Sequence, residues 1–312
     1  MSTNNYSEKL LASFKQQFHD RVKLNEPLAP YVAYRVGGPA DILVFPKNEA
    51  DLDFISEAAK TNSIPITIIG TGTNLLVKDR GIRGIVVSLK EAFKEINWSP
   101  SSTPEKPIVR SGGGVEKPAL LEWAIQHSLT GLEFSSGVPG TIGGGIFMNA
   151  GTKYGCYGDI LREIRLYDFV SGARQMKTET SQFEYRKQHL VKDTLVLWTD
   201  FELHPGDQGT IRTEVDRIIA ERAAKQPLDF PSCGSTFKNP PEGLSAGRLI
   251  EKSNLKGTRI GGAEISEKHA NFILNKGGAT ASDILGLIDH VKRKVKEQFQ
   301  VELECEVIIL GE

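Results

Sequence analysis

Cysteine is scarce in this chain, and the three present, Cys156, Cys233 and Cys305, are widely separated, odd in number and outside any CxxC spacing. That excludes a disulfide scaffold and a zinc or dithiol site of the paired-cysteine kind, and it suits a reducing cytosol. Long hydrophobic runs are missing too, since none nears the ~20 residues that a membrane helix needs. The opening MSTNNYSEK is polar, without the charged head and apolar core of an export signal. A cytoplasmic protein with no membrane partner and no metal is expected. An excess of one charge sign is absent as well: 38 Lys plus Arg stand against 39 Asp plus Glu, so no basic field is there to hold nucleic acid. Neither repeats nor low-complexity segments interrupt the 312 residues. That length suffices for two or three packed units, because single cores stop growing near ~250 to 300 residues.

Glycine is the residue in surplus. There are 31 against an ordinary share of ~7%, and they cluster, which signals built loops instead of disorder. Between the clusters, Leu10, Leu11, Phe14 and Phe18 recur at helical spacing and predict an amphipathic lead helix over 7–18. A helix over 49–61 is followed by a β-branched strand at 65–69, the loop Gly70-Thr71-Gly72-Thr73-Asn74 and a second apolar run at 75–77. A strand at 107–110, a helix at 116–128 and strands at 163–170 and 193–203 follow. Val215, Ile218, Ile219 and Arg222 define a helix that Pro227 stops, with a boundary near 205–212.

A helix at 281–299 carries Ile284, Ile288, Val291 and Val295 on one face, with Ser282 as its N-cap and Lys292, Arg293, Lys294 and Lys296 solvated toward its C-terminus. The stretch 301–309 alternates strictly, which predicts a strand with Val301, Leu303, Cys305, Val307 and Ile309 facing the core and three glutamates on the other face. Glu306, beside the most apolar part, is the glutamate expected to be buried.

The 70–74 loop follows a strand, and its backbone N–H groups suit a pyrophosphate. It is not a Rossmann fingerprint, which wants a third glycine and a helix directly after, nor a P-loop, which wants Gly-Lys-Ser/Thr. Alone it equally fits an ordinary turn. Gly137, Gly140, Gly143, Gly144 and Gly145, beside Thr141 and Asn149, make a second bare backbone surface, and a flat dinucleotide can lie between two such surfaces with its phosphates on amides. The segment PSCGSTFKNP at 231–240 sets Ser235 beside a glycine, with Lys238 and Asn239 close by. No GxSxG elbow surrounds Ser235 and no histidine is near it in sequence, so a nucleophilic role lacks its base. A serine can instead donate its proton to a far more basic acceptor, such as a carbanion or enolate left by hydride addition, and the segment equally fits an ordinary polar turn. Arg186, in FEYRK at 183–187, can hold a carboxylate bidentately.

Taken together, these segments resemble the UDP-N-acetylenolpyruvoylglucosamine reductase family, flavoenzymes of bacterial peptidoglycan precursor synthesis. The likeness runs from about residue 34 to the C-terminus. It rests on YRVGGPAD (34–41), GTGTNLLV (70–77), GLEF and GVPGTIGG (131–144), MNAG (148–151), EYR (184–186), GSTFKNP (234–240), SEKHANFI (266–273) and ELECEV (302–307), in that order. The resemblance implies an α+β chain with an FAD-binding fold of the vanillyl-alcohol-oxidase (PCMH) type. Its two subdomains would span 1–95, with the lead helix, and 96–210, followed by an α+β substrate-binding domain at 211–312.

It further implies FAD held by Arg35, Gly70, Thr71, Gly72, Thr73, Asn74, Leu75, Gly137, Val138, Pro139, Gly140, Thr141, Gly144 and Asn149. The attachment would be non-covalent, since the 70–77 loop has no His or Cys. NADPH, as co-substrate, would reduce the flavin and leave, and UDP-N-acetylglucosamine enolpyruvate would take its place. Ser235 would protonate the intermediate while Arg186 and Glu306 orient the substrate carboxylate. Lys225, Asn239 and His269 fall where the family contacts the nucleotide or its phosphates, and a monomer is expected.

The chain departs from the family pattern in three places. The stretch from Arg186 to Ser235 is too short for the tyrosine-bearing loop of one subtype, so the chain resembles the subtype lacking it. Arg248 stands where a large aromatic is usual. Cys233 replaces a small alanine, which suggests sensitivity to thiol oxidation. A flavin oxidase using oxygen, or a nucleotide-binding regulator without turnover, would fit the glycine loops, but the set Ser235, Arg186 and Glu306 argues against both.

Overall fold

Residues 6–190 and 194–312 are described in the computed structural model. The first five residues of the polar amino terminus, and the start of the strand expected from 193, lie outside them. The helix Glu8–Phe18 starts from Ser7, whose hydroxyl accepts from the Leu10 amide at 3.2 Å. Leu10, Phe14 and Phe18 form its buried stripe. The two phenylalanines meet Phe54 of the helix Glu49–Asn62 edge-on, with ring centroids 5.4 and 5.6 Å apart.

A four-stranded sheet runs in the order Val22–Pro27, Pro39–Val44, Ile82–Ser88, Ile66–Ile69, the last two parallel. A five-stranded antiparallel sheet runs Gly172–Lys177, Leu161–Asp168, Thr194–Glu202, Ile108–Gly112, Ile96–Trp98. The chain divides into two compact units, each drawn from separate stretches: 1–24, 42–71 and 84–222 in one, and 25–41, 72–83 and 223–312 in the other.

In the first unit the helices Lys117–Gln126 and Gln208–Lys225 bury Leu120, Ile125, Ile211 and Val215 with Val109, Ile164 and Phe201 of the five-stranded sheet. In the second, the helix Ala281–Phe299 buries Ile284, Leu287, Ile288, Val291 and Val295 with residues of a three-stranded antiparallel sheet, Arg259–Ile260, Ala263–Ile265 and Ile273–Asn275. Each such side chain contributes roughly 1.5 to 3 kcal/mol.

Two sequence expectations are corrected in the second unit. Thr280, not Ser282, caps the long helix, accepting from the Asp283 amide at 3.1 Å. The physical reason is Asp79, whose carboxylate accepts from the amides of Ala281 and Ser282 at 2.8 and 2.9 Å and from the Ser282 hydroxyl at 2.5 Å. An acid brought to the positive end of the helix dipole thus occupies the serine that the pattern assigned to capping. The stretch 301–309 is not one strand either: only Ile308–Leu310 is, paired in parallel with Leu75–Val77. Upstream, Cys305 makes a single antiparallel bridge with Phe237. Because the chain changes partner near residue 307, the alternation loses phase and Ile309 ends up exposed while Leu303 and Val307 stay buried.

Candidate functional site

Within the second unit, Ser235 and Glu306 lie on two segments stitched together. The Glu306 amide donates to the Thr236 carbonyl at 2.8 Å, and the Lys238 amide to the Glu304 carbonyl at 2.9 Å. Ser235 and Glu306 are half-buried, whereas Glu302 and Glu304 are exposed, so the glutamate singled out from its apolar neighbours is the least exposed of the three.

Asn271, which sequence reasoning passed over inside SEKHANFI, holds the serine segment. Its side-chain carbonyl accepts from the Phe237 amide at 3.0 Å, its side-chain amide donates to the Phe237 carbonyl at 2.8 Å, and its backbone carbonyl accepts from the Thr236 amide at 2.8 Å. A buried Asn that replaces a missing strand partner in this way is readable only from the fold. The Lys238 ammonium reaches Glu304 at 3.4 Å, on the opposite side of the segment from Phe237 by strand alternation.

Gly72, Thr73, Asn74 and Leu75 also belong to this unit. Gly72 takes φ of 66°, and an added Cβ would collide with the Tyr31 carbonyl, so only glycine fits. The Asn74 side-chain amide donates to the Glu306 carbonyl at 2.9 Å, and the Ile308 amide donates to the Asn74 carbonyl at 3.0 Å. The glycine loop and the glutamate segment are therefore one construction. Arg35 is exposed and takes φ of 55°.

Of the expected substrate contacts, Lys225 is exposed, Asn239 accepts from the Ala246 amide at 3.1 Å, and His269 Nδ1 accepts from the Asn271 amide at 3.3 Å. Burial lowers the His269 pKa, opposed by a hydrogen bond to its own backbone. Arg248 pairs with Glu251 at 2.9 Å on the surface. Cys233 contradicts the expected sensitivity to oxidation: its thiol is buried, donates to the Leu75 carbonyl at 3.4 Å and is pushed up by burial to about 12. The thiolate is the reactive form.

The first unit holds the other half of the predicted residues. Gly70 lies so close to Thr141 that a Cβ would stand 2.8 Å from its hydroxyl oxygen, so the two glycine surfaces abut here. The Thr71 hydroxyl is buried without a hydrogen-bond partner. Gly137 and Gly140 take φ of 67° and 112° and flank Val138 and Pro139. The glycines at 143–145, expected as loop, are helical: Thr141 caps the helix Ile142–Phe147, its hydroxyl accepting from the Gly144 amide at 3.4 Å. The Ile142 and Gly143 amides donate to the Val115 and Gly113 carbonyls at 2.8 Å, a backbone approach that larger side chains would block.

Asn149 is committed to structure. It donates to the Glu184 carbonyl at 2.9 Å and accepts from the Gly158 amide at 3.0 Å, which anchors the hairpin Phe183–Glu184 and Lys187–Gln188. Arg186 sits in the turn of that hairpin with φ of 56°, its guanidinium 5.0 Å from the centre of the Tyr185 ring. Arg35, Asn149 and Arg186 thus all hold a conformation that non-glycine residues rarely adopt, a strain that tends to collect where function needs it.

Two cations beside this surface were not foreseen. Lys117 donates to the Pro139 carbonyl at 3.0 Å, and Arg222 packs on Gly137, 3.1 Å from where a Cβ would be. Burial lowers the pKa of both, Lys117 to about 8.

Bare backbone, an orphaned hydroxyl and unpaired positive charge suit a phosphate-bearing cofactor, and known proteins agree on which. Residues 40–174 match the FAD binding domain family, and residues 226–310 match the C-terminal domain of UDP-N-acetylenolpyruvoylglucosamine reductase. A VAO-type flavoprotein from Myceliophthora thermophila shares the fold over 64% of this chain and 48% of its own, at TM-score 0.51 and 14% identity. The fold is thus that of FAD-binding flavoproteins of the vanillyl-alcohol-oxidase type.

At higher identity, the crystal structure of the UDP-N-acetylenolpyruvylglucosamine reductase (MurB) from Thermus caldophilus is 32% identical, covers 93% of this chain and 98% of its own, and superposes at TM-score 0.76. The UDP-N-acetylenolpyruvoylglucosamine reductases of Moorella thermoacetica and Listeria innocua are 40% and 42% identical over 94% of this chain and 94% and 96% of theirs. The chain belongs to the UDP-N-acetylenolpyruvoylglucosamine reductase family.

Proposed function

We propose that the protein reduces UDP-N-acetylglucosamine enolpyruvate to UDP-N-acetylmuramate, with NADPH as reductant and non-covalently bound FAD, in peptidoglycan precursor synthesis. The observation that carries this is membership of the reductase family over nearly the whole length. The protein is an FAD-dependent oxidoreductase acting on a small UDP-sugar, and among the described residues no helix is long and apolar enough to cross a membrane. We place it in the cytoplasm as a monomer with no nucleic-acid partner, with 1–95 and 96–210 seating the flavin and 211–312 the substrate.

The residues fit FAD. The abutting Gly70 and Thr141, the partnerless Thr71 hydroxyl and the open backbone from Gly137 to Gly140 suit a flat dinucleotide approached by amides. Bound FAD supplies hydride transfer from NADPH to the terminal carbon of the enolpyruvyl group. The adjacent carbon, left as a carbanion stabilised by the carboxylate, is then basic enough to take the hydroxyl proton of Ser235, which solvent restores. Arg186 and Glu306 polarise and orient the carboxylate. Preorganised charges of this kind are worth roughly 10² to 10³ in rate each. Lys225, Asn239 and His269 contact the nucleotide or its phosphates.

Ser235→Ala tests the assignment. Stopped-flow reduction of the flavin by NADPH is expected to continue at the wild-type rate, while reoxidation by the enolpyruvyl substrate slows by about 10² to 10⁴. Equal loss in both half-reactions would remove Ser235 from the proton-donor role. Wild-type protein that releases no FAD on denaturation, or does not consume NADPH with this substrate, would sink the functional reading itself.

A further inference from the structure

Lys117 is placed against every rule that governs lysine. It begins the helix Lys117–Gln126, where aligned peptide dipoles disfavour a cation. It is only 5% exposed, although lysine is almost never fully buried without a partner charge. The charged groups that act on it, Arg186 and Arg222, are both cations. Its ammonium offers three N–H bonds, and it donates to a neutral acceptor, the Pro139 carbonyl.

Arg222 is in a similar position. Its Nε is buried without a hydrogen-bond partner, and the charge acting on it is Arg186. The two cations bracket one glycine segment: Arg222 Nε lies 3.1 Å from a Cβ added at Gly137, and Lys117 Cε 3.0 Å from one added at Gly145. Among the described residues, none of the charges acting on Lys117 or Arg222 is negative. A buried ammonium with a half-buried guanidinium, Arg222, among the cations acting on it is costly to a fold unless an anion joins them.

We infer that Lys117 and Arg222, together with Arg186, form an anion site of the first unit that receives a phosphate or carboxylate oxygen group laid against the 137–145 backbone. The bare glycines allow close approach. The desolvated ammonium supplies a charge that water does not screen. Such a group is carried by the flavin dinucleotide and also by the enolpyruvyl nucleotide-sugar, so the inference rests on the proposed function and adds Lys117 and Arg222 to it.

Wild type, Lys117→Met and Arg222→Gln are compared as full-length proteins, with circular dichroism melting to establish that each is folded. Flavin-free protein is titrated with FAD by flavin fluorescence, and holoenzyme with UDP-N-acetylglucosamine enolpyruvate by flavin absorbance. Losing a hydrogen bond to a charged group predicts a roughly 10- to 100-fold rise in Kd. A rise in the FAD constant assigns the anion to the cofactor, whereas a rise in the substrate constant alone assigns it to the substrate. Both constants within about 2-fold of wild type in the folded variants overturn the site, and Arg222→Gln, on a half-exposed helix face, decides alone if Lys117→Met does not fold. Wild-type protein that takes FAD but neither binds the enolpyruvyl substrate nor consumes NADPH with it defeats the proposed function while leaving the FAD titration of the variants to judge the anion site.

Discussion

Replacing Lys117 by methionine in the flavin-free protein is expected to raise stability at neutral pH and to lose that advantage as the pH climbs. Burial first, and then Arg186 and Arg222, lower the Lys117 pKa from the ordinary 10.5 to about 8. That difference corresponds to roughly 3 kcal/mol against the charged form. Below pH 8 both the folded and unfolded chains hold the proton, and the folded protein bears the whole penalty. Between about 8 and 10.5 the unfolded chain keeps a proton that the folded one has lost, so wild-type stability rises with pH through this window. Above it the penalty is gone.

Methionine has nearly the same shape without the charge. The carbonyl it abandons belongs to exposed Pro139, which can turn to water. The methionine variant should therefore lead wild type by about 1 to 3 kcal/mol at pH 7, and the gap should shrink by about 3 kcal/mol by pH 10. Urea denaturation of both flavin-free proteins at the two pH values measures it, since every other titrating group is common to both and cancels. A gap that stays constant with pH, or a variant weaker than wild type at pH 7, would refute the claim that Lys117 carries an uncompensated charge.

Two further outcomes follow from the second unit. Asn271→Leu strands the amide and carbonyl of Phe237 and should cost roughly 2 to 5 kcal/mol in urea denaturation. It should also slow reoxidation of the flavin by substrate more than its reduction by NADPH, because Phe237 lies two residues from Ser235. Cys233, buried and pushed up to about 12, should resist alkylation by iodoacetamide in the folded protein, with mild peroxide leaving turnover unchanged. Rapid labelling at Cys233 under native conditions would contradict the burial.

The helices with a clean apolar period were legible in the sequence, because burial of a stripe such as Ile284, Ile288, Val291 and Val295 leaves a periodic trace. So was the glycine loop, since Gly72 sits where a Cβ would strike the Tyr31 carbonyl. What escaped was whatever depends on a partner far along the chain. Ser282 looked like a cap until Asp79 took it, and the terminal alternation looked like one strand until its partner changed from Phe237 to the strand Leu75–Val77. Lys117 left a faint signal, a lysine at the very start of an apolar helix. Its two cationic neighbours come from a hairpin and a helix that no spacing rule connects to it.

The pairing of Leu75–Val77 with Ile308–Leu310, together with the Asn74 bond to Glu306 across 232 positions, sets a schedule for biosynthesis. A ribosome adding about 5 to 20 residues each second exposes the glycine loop some 10 to 50 s before the strand that completes it. Through that interval the unpaired edge of Leu75–Val77 is a docking invitation to other nascent chains. Its companions, the stretches 25–41 and 72–83, must wait for the tail as well. The length of that exposure is set by the topology, whatever the stability of the finished molecule.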